Sequence, residues 1–335
     1  MDFSKVRGFN YQPPYGSTLY ENWLYFNAEI IEADLRKGKA FFPGMNVIRI
    51  WLSWDAYIRD PQQFCGNFEK VLSIADELKL KVMPVLFNRW HGLELDCGGV
   101  YIDQICPVSW ILDEVDRGYN EYNAAKFQSR FDAYMADIVG CHANDPRIMA
   151  WDLCNEPFYD YSVKEETRVI EQAELAWLKR LYELCKQHKA KQKIGVSITP
   201  DDKKRGLEVV ADISDVLLIH PYFTGRPEDE ASRKTYLELL DCYEEVSEES
   251  GKQLLVTETC WGAFDDEKRA ENARYTLSEL ARRNIGFIVH ALCYSKMADL
   301  HDPEDGPTGP PENLAFINKK GELRKGHEVF NEFCG

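Results

Sequence analysis

The strongest constraint on this chain is a rhythm. Eight short, nearly continuous apolar runs recur along it: "KVRGFN" (5–10), "NVIRIWL" (46–52), "KVMPVLF" (81–87), "RIMAWDLC" (147–154), "KIGVSI" (193–198), "DVLLIH" (215–220), "QLLVTE" (253–258) and "IGFIVHALC" (285–293). Longer amphipathic segments fall between them, near 29–41, 68–79, 121–143, 165–190, 232–250 and 267–283, with a short one at 204–211 and a last one from about 325. In "FEKVLSIADELKL", Phe68, Val71, Leu72, Ala75 and Leu78 lie on one stripe of a helix. Strands that are apolar on both faces and alternate with helices form a parallel sheet covered by those helices. Eight of them close a (β/α)8 TIM barrel. An open doubly wound sheet is the alternative, but "FNYQPPYGS" follows the first strand where a Gly-rich phosphate loop would stand. All 335 residues, 1–335, read as a single catalytic domain with a long βα-loop insertion around 91–120.

In such barrels the chemistry sits at the C-terminal ends of the strands. Strand four ends in Asn155-Glu156-Pro157 and strand seven in Thr257-Glu258. One glutamate at a strand end is ordinary: it can cap a helix or face water. Two of them, on strands across the mouth from each other and among aromatics, need another reason. Glycoside hydrolysis supplies one, since one carboxyl protonates the leaving oxygen while the other attacks the anomeric carbon or activates water.

"WDLCNEP" and "VTETCWG" resemble the fourth- and seventh-strand signatures of the clan A glycoside hydrolases, most closely the cellulase-type family 5. "NVIRIWLSW" is similar to the clan's strand-two arginine motif at Arg49, and "LIHPY" to its His-x-Tyr at His220 and Tyr222. The resemblance implies Glu156 as acid/base and Glu258 as nucleophile. It also implies a retaining mechanism with carboxylates about 5–5.5 Å apart. Glu156 then has to be raised by burial and by the Glu258 charge, while Glu258 has to be held ionised, with Arg49 and Tyr222 as the expected partners. Asn155 is expected on the sugar 2-hydroxyl, and His220 on Glu156 or the leaving group. Family 5 enzymes usually place a tryptophan at the end of strand eight. Here "FIVHALCYSKMADLH" has none; His290, Cys293 or Tyr294 stands near the spot, and Lys296, Asp299 and His301 follow. A clan relative with a differently shaped sugar pocket is therefore expected.

Trp90 and His91, with Asn88, end strand three in "NRWHG", and Trp261 follows Glu258; these are the further candidates for sugar contact, with Trp54 after strand two. The insertion at 91–120 suggests a narrowed pocket and an exo-acting or short-oligosaccharide enzyme of β-gluco or β-manno type. A non-catalytic carbohydrate-binding barrel or a metal-dependent barrel enzyme is the alternative. The first ought to lack one carboxylate. The second needs ligands such as Cys154, Cys260, Cys293 and His290, which lack metal-ligand spacing. No metal or cofactor is expected. A formal charge of −16 disfavours nucleic acid and anionic membranes as partners, leaving a glycoside or oligosaccharide; oligomeric state is open. "MDFSKVRGFN" does not read as a signal peptide, and ten cysteines without a CxxC read as reduced, so a cytoplasmic setting is expected, with Cys97 and Cys106 the pair to contradict it.

Overall fold

The computed structural model describes residues 2–88, 130–158, 165–200, 203–261, 265–297 and 314–334. Eight parallel strands close a barrel in sequence order. They are β1 (Arg7–Asn10), β2 (Val47–Trp51), β3 (Lys81–Asn88), β4 (Ala150–Asn155), β5 (Lys193–Ile198), β6 (Leu217–Ile219), β7 (Leu254–Val256) and β8 (Gly286–Val289). Around them lie α1 (Leu19–Leu24), α2 (Ala28–Phe41), α3 (Trp54–Arg59), α4 (Pro61–Glu77), α5 (Glu165–Gln187), α6 (Lys203–Ala211), α7 (Glu230–Ser250) and α8 (Asp266–Arg282). The (β/α)8 expectation holds.

Side chains alternate across each strand, so one set faces the helices and the other the barrel axis. On β2, Ile48 and Ile50 join the large core under the helices, whereas Val47, Arg49 and Trp51 turn inward. The floor of the barrel is a dry plug that includes Val47, Met83, Ala150, Leu218, Leu255 and Ile288. Above it the interior becomes polar. That change of layer, from apolar floor to charged mouth, is what the fold does for the site.

Several boundaries differ from the sequence expectation, each for a physical reason. The helix expected over 68–79 starts at Pro61, because the Asp60 side chain accepts the Gln63 N–H and proline suits the first helical position. The apolar stripe alone does not reveal a polar cap one or two turns upstream. β6, β7 and β8 are shorter than their apolar runs, so Glu258 stands just past the end of β7. At His290 the chain leaves the ladder, its N–H donating to the Thr259 carbonyl at 3.0 Å. The C-terminal segment is a 3-10 helix, His327–Phe333, rather than an α-helix. Its buried His327 and Phe330 are three apart, the 3-10 repeat. Of the helix expected over 121–143, residues 121–129 lie outside the described ones, and the rest is helical down to a π-type turn at Ala136–Gly140.

Trp54 is not at the mouth. It is buried against Tyr57, Phe131 and Tyr134, with ring centroids 6.1, 4.5 and 5.7 Å away, so its work is packing. The eight described cysteines are free thiols, and Cys97 and Cys106 lie outside the described residues. Among the described residues no helix is long and apolar enough to cross a membrane. Truncating so large a buried ring leaves a cavity. Trp54→Ala should therefore lose about 3–5 kcal/mol of stability in urea unfolding; a loss below about 1 kcal/mol would mean that the cluster is not structural.

Candidate active site

Arg49 is fully buried in the barrel, and a buried cation has to be answered on every side. Its Nε and Nη2 donate to Asp152 Oδ2 at 3.1 and 2.8 Å, and Nη1 donates to Asn10 Oδ1 at 2.9 Å and to Glu258 Oε1 at 2.6 Å. Nη2 also reaches Asn155 Oδ1 at 2.7 Å and Ser197 Oγ at 3.1 Å. The Trp51 ring closes one face, with its centroid 4.5 Å from the guanidinium carbon. Burial disfavours the cation, yet Asp152 and Glu258 outweigh it and the Arg49 pKa ends above its ordinary value. Burial also pushes the Asp152 carboxyl up, against Arg49 and the Ser197 side chain; the Ser197 N–H donates to Asp152 Oδ1 at 3.2 Å.

Glu258 is held from two sides. Tyr222 donates its hydroxyl to Oε2 at 2.6 Å while Arg49 holds Oε1. Burial raises the Glu258 carboxyl, but the positive fields of His220, Arg49 and His290 and the Tyr222 hydrogen bond overcome it and keep Glu258 well below the usual carboxylate range. Burial and the neighbouring Glu258 and Glu156 charges push Tyr222 well above its ordinary value, so it stays a neutral donor.

Glu156 reaches the mouth by a local distortion. The β4–β5 register shifts between Asp152 and Asn155. Simple alternation from Asp152 would turn Cys154 inward; instead Cys154 packs in the outer core and Asn155 meets Arg49. Glu156 then adopts φ +47°, the left-handed region, with its N–H tied to the Ser197 carbonyl at 2.9 Å. Non-glycine residues there cost about 1–2 kcal/mol, and such strain gathers at functional sites. The side chain shares a 2.6 Å hydrogen bond with His220 Nδ1, and His220 Nε2 lies 3.8 Å from Glu258 Oε1. One carboxylate oxygen of each glutamate and a ring nitrogen of His220 all lie within 4.8 Å of one another.

The sequence-derived set thus converges: Arg49, Asn155, Glu156, His220, Tyr222 and Glu258 share one network. Asn155 donates from Nδ2 to Asn88 Oδ1 at 3.1 Å, so Asn88 belongs to the same layer. Trp261, half-buried, stacks on His290 at 5.8 Å and 12° and meets Tyr222 edge-on at 5.0 Å. Of the three candidates for the strand-eight position, His290 is the one whose charge bears on Glu258 and whose ring stacks on Trp261. Trp90, His91 and the insertion at 91–120 lie outside the described residues, as do Asp299 and His301. Sequence reading missed Asn10, Trp51, Asp152 and Ser197. Asp152 was findable, because an aspartate inside an apolar strand demands a cation, and Arg49 stands in the middle of another such strand.

Three carboxylate and imidazole groups this close also match a metal ligand set. The Arg49 cation 2.6 Å from Glu258 opposes a second positive charge there. Among the described residues neither group of clustered ligands contains a cysteine, so Cys154, Cys260, Cys293 and His290 are not brought together as a ligand set.

No protein-family model matches the sequence, and no curated protein matches it. Solved structures match in fold. The exo-β-1,4-mannosidase Op5Man5 from Opitutaceae bacterium strain TAV5 is 18% identical and superposes with a TM-score of 0.69 over 98% of this chain; the chain spans 58% of that protein. GH5_18 from Streptomyces cattleya, in complex with GlcNAc, is 15% identical with a TM-score of 0.72 over 99% of this chain and 80% of its own. The glycoside hydrolase family 5 mannosidase from Rhizomucor miehei is 14% identical, with a TM-score of 0.64 over 98% and 92%.

Because the Glu258 pKa is depressed in the fold, its ion pair contributes stability that is present above the unfolded pKa near 4.5 and is lost as pH falls toward the lower folded value. Below pH 4.5 the wild type should therefore lose up to about 1.4 kcal/mol per pH unit more than Glu258→Gln in urea titrations. Equal slopes would mean that Glu258 is not held ionised.

Proposed function

We propose that this chain is a retaining β-glycosidase of the clan A type, working by double displacement through a covalent glycosyl-enzyme. The observation that carries the reading is the asymmetry of the two glutamates. Glu258 is clamped by Arg49 and Tyr222 and kept ionised, as a nucleophile has to be, while Glu156 has neither partner and instead shares a 2.6 Å hydrogen bond with His220. Their oxygens are close enough to favour direct attack over a mechanism that seats a water between carboxylates about 6.5–9.5 Å apart.

In the first step Glu258 attacks the anomeric carbon as the glycosidic bond breaks, and the Glu156 proton goes to the departing oxygen. In the second, Glu156 takes a proton from water, whose oxygen displaces Glu258 and releases the sugar. His220 holds Glu156 in line through their 2.6 Å hydrogen bond. Asn155, oriented by Arg49 and Asn88, directs its remaining amide hydrogen toward the sugar 2-hydroxyl. Trp261 and His290 form the aromatic floor for the ring; Trp90 and His91 are proposed as further contacts from the insertion. β-Mannosides and β-glucosides are the substrate class, as single units or short oligosaccharides. The mannosidase names of the fold relatives support the manno configuration. No metal takes part.

Leaving-group dependence tests the assignment. Glu156→Ala should lose about 10²–10⁴ in kcat on alkyl or oligosaccharide β-mannosides and far less on dinitrophenyl ones, which need little protonation. Equal losses on both would remove Glu156 as the acid. Dialysis against EDTA should leave the rate unchanged, whereas a loss restored by a divalent ion would favour the metal-dependent reading of the Glu156–His220–Glu258 trio.

A further inference from the structure

A second buried guanidinium lies outside the catalytic network. Arg269, in the first turn of α8, is fully enclosed, and its principal acceptors are backbone carbonyls. Nη2 donates to the carbonyls of Cys260 and His290, both at 3.2 Å, and of Leu314 at 2.5 Å. Nη1 donates to the Ala315 carbonyl at 2.9 Å and to His327 Nε2 at 3.1 Å, and Nε leans on the Trp261 carbonyl at 3.4 Å. Among the described residues Arg269 forms no salt bridge with a carboxylate. Burial pushes it down to about 9, which still leaves a cation at neutral pH. His327 fits the role of acceptor: its Nδ1 bonds the Lys325 carbonyl at 3.0 Å, and burial and the Arg269 charge lower it to about 3, so Nε2 presents a lone pair.

The carbonyls gathered here belong to three separate segments. Cys260 and Trp261 follow Glu258 after β7, with Cys260 in the left-handed region at φ +65°. His290 follows β8. Leu314 and Ala315 open the segment that pairs with 291–294, where the Ala291 N–H donates to Leu314 O and the Phe316 and Ile317 N–H groups to Ala291 O and Leu292 O, each at 2.9 Å. Carbonyls crowded together repel unless a donor fork separates them, and a guanidinium offers five N–H groups in one plane. Two of these carbonyls belong to Trp261 and His290, whose rings stack on each other beside Tyr222.

We propose that Arg269 is a positioning residue that sets the Trp261–His290 pair against the nucleophile, and through that pair governs affinity for the sugar ring. It touches neither substrate nor the reacting carboxylates. This rests on the reading of the mouth as a sugar site, but the tie itself can be measured without catalysis.

The test uses Arg269→Lys, which keeps the charge but not the fork, and Arg269→Met, with Trp261→Ala as a variant that removes the platform and leaves the tie. In hydrogen exchange followed by mass spectrometry, amides of 290–294 and 314–317 should exchange at least about tenfold faster in both Arg269 variants, more in Met than in Lys, with β3 and β4 unchanged. With aryl β-mannosides, KM should rise about tenfold in Arg269→Met, as it should in Trp261→Ala, while in Arg269→Met kcat and the acid limb of its pH profile hold. Uniform or unaltered exchange would overturn the tie. A fall in kcat or a shift of the acid limb without a rise in KM would overturn its role in affinity. If the wild type cleaves no aryl glycoside, the proposed function fails, while the exchange result still decides the tie.

Discussion

One buried guanidinium sets the terms for the barrel mouth. Arg49 cannot be solvated where it sits, so the surrounding strands supply its partners: Asn10 from β1, Asp152 and Asn155 from β4, Ser197 from β5 and Glu258 after β7. A charge enclosed this way gives weak net stabilisation, because desolvation consumes most of the Coulomb gain. What it gives instead is geometry. Glu258 cannot rotate or take up a proton without breaking its 2.6 Å pair with Arg49, which would leave Asp152 as the one described carboxylate still bonded to the guanidinium.

The two glutamates look alike in sequence and differ by what surrounds them. Glu258 meets a permanent cation and a phenol, and both favour its charged form. Glu156 meets an imidazole, whose ring nitrogen shares a single 2.6 Å hydrogen bond with it. A barrel is suited to this division, because side chains on different strands approach one point without sharing a flexible loop. The floor beneath is built of buried apolar side chains, which offer Arg49 no polar partner from below.

Much of this was legible in the residues, and the rest was hidden for identifiable reasons. The eight strands announced themselves because parallel strands are apolar on both faces. Arg49 stood out as a charge inside such a run, and His220, Tyr222 and the glutamates as polar groups at or just past the ends of others. Asp152 was visible but unread, since its meaning depends on a partner 103 residues away. The bulge that brings Asn155 inward leaves no period-two signature, and neither does the left-handed turn at Glu156. Trp54 misled because an aromatic just past a strand can face either the mouth or a neighbouring helix, and only packing decides. Arg269 was invisible because its acceptors are backbone carbonyls, which every residue has.

The central claim is that Arg49 and Tyr222 prepare Glu258 as the nucleophile. Trapping the intermediate tests it most directly. The wild type is incubated with a 2-deoxy-2-fluoro-β-mannosyl fluoride, which slows the second displacement, and the labelled peptide is sequenced by mass spectrometry. One fluoromannosyl group per chain, on Glu258, is the predicted result. A label on another residue, or release of sugar with no covalent adduct at any stage, would contradict the account.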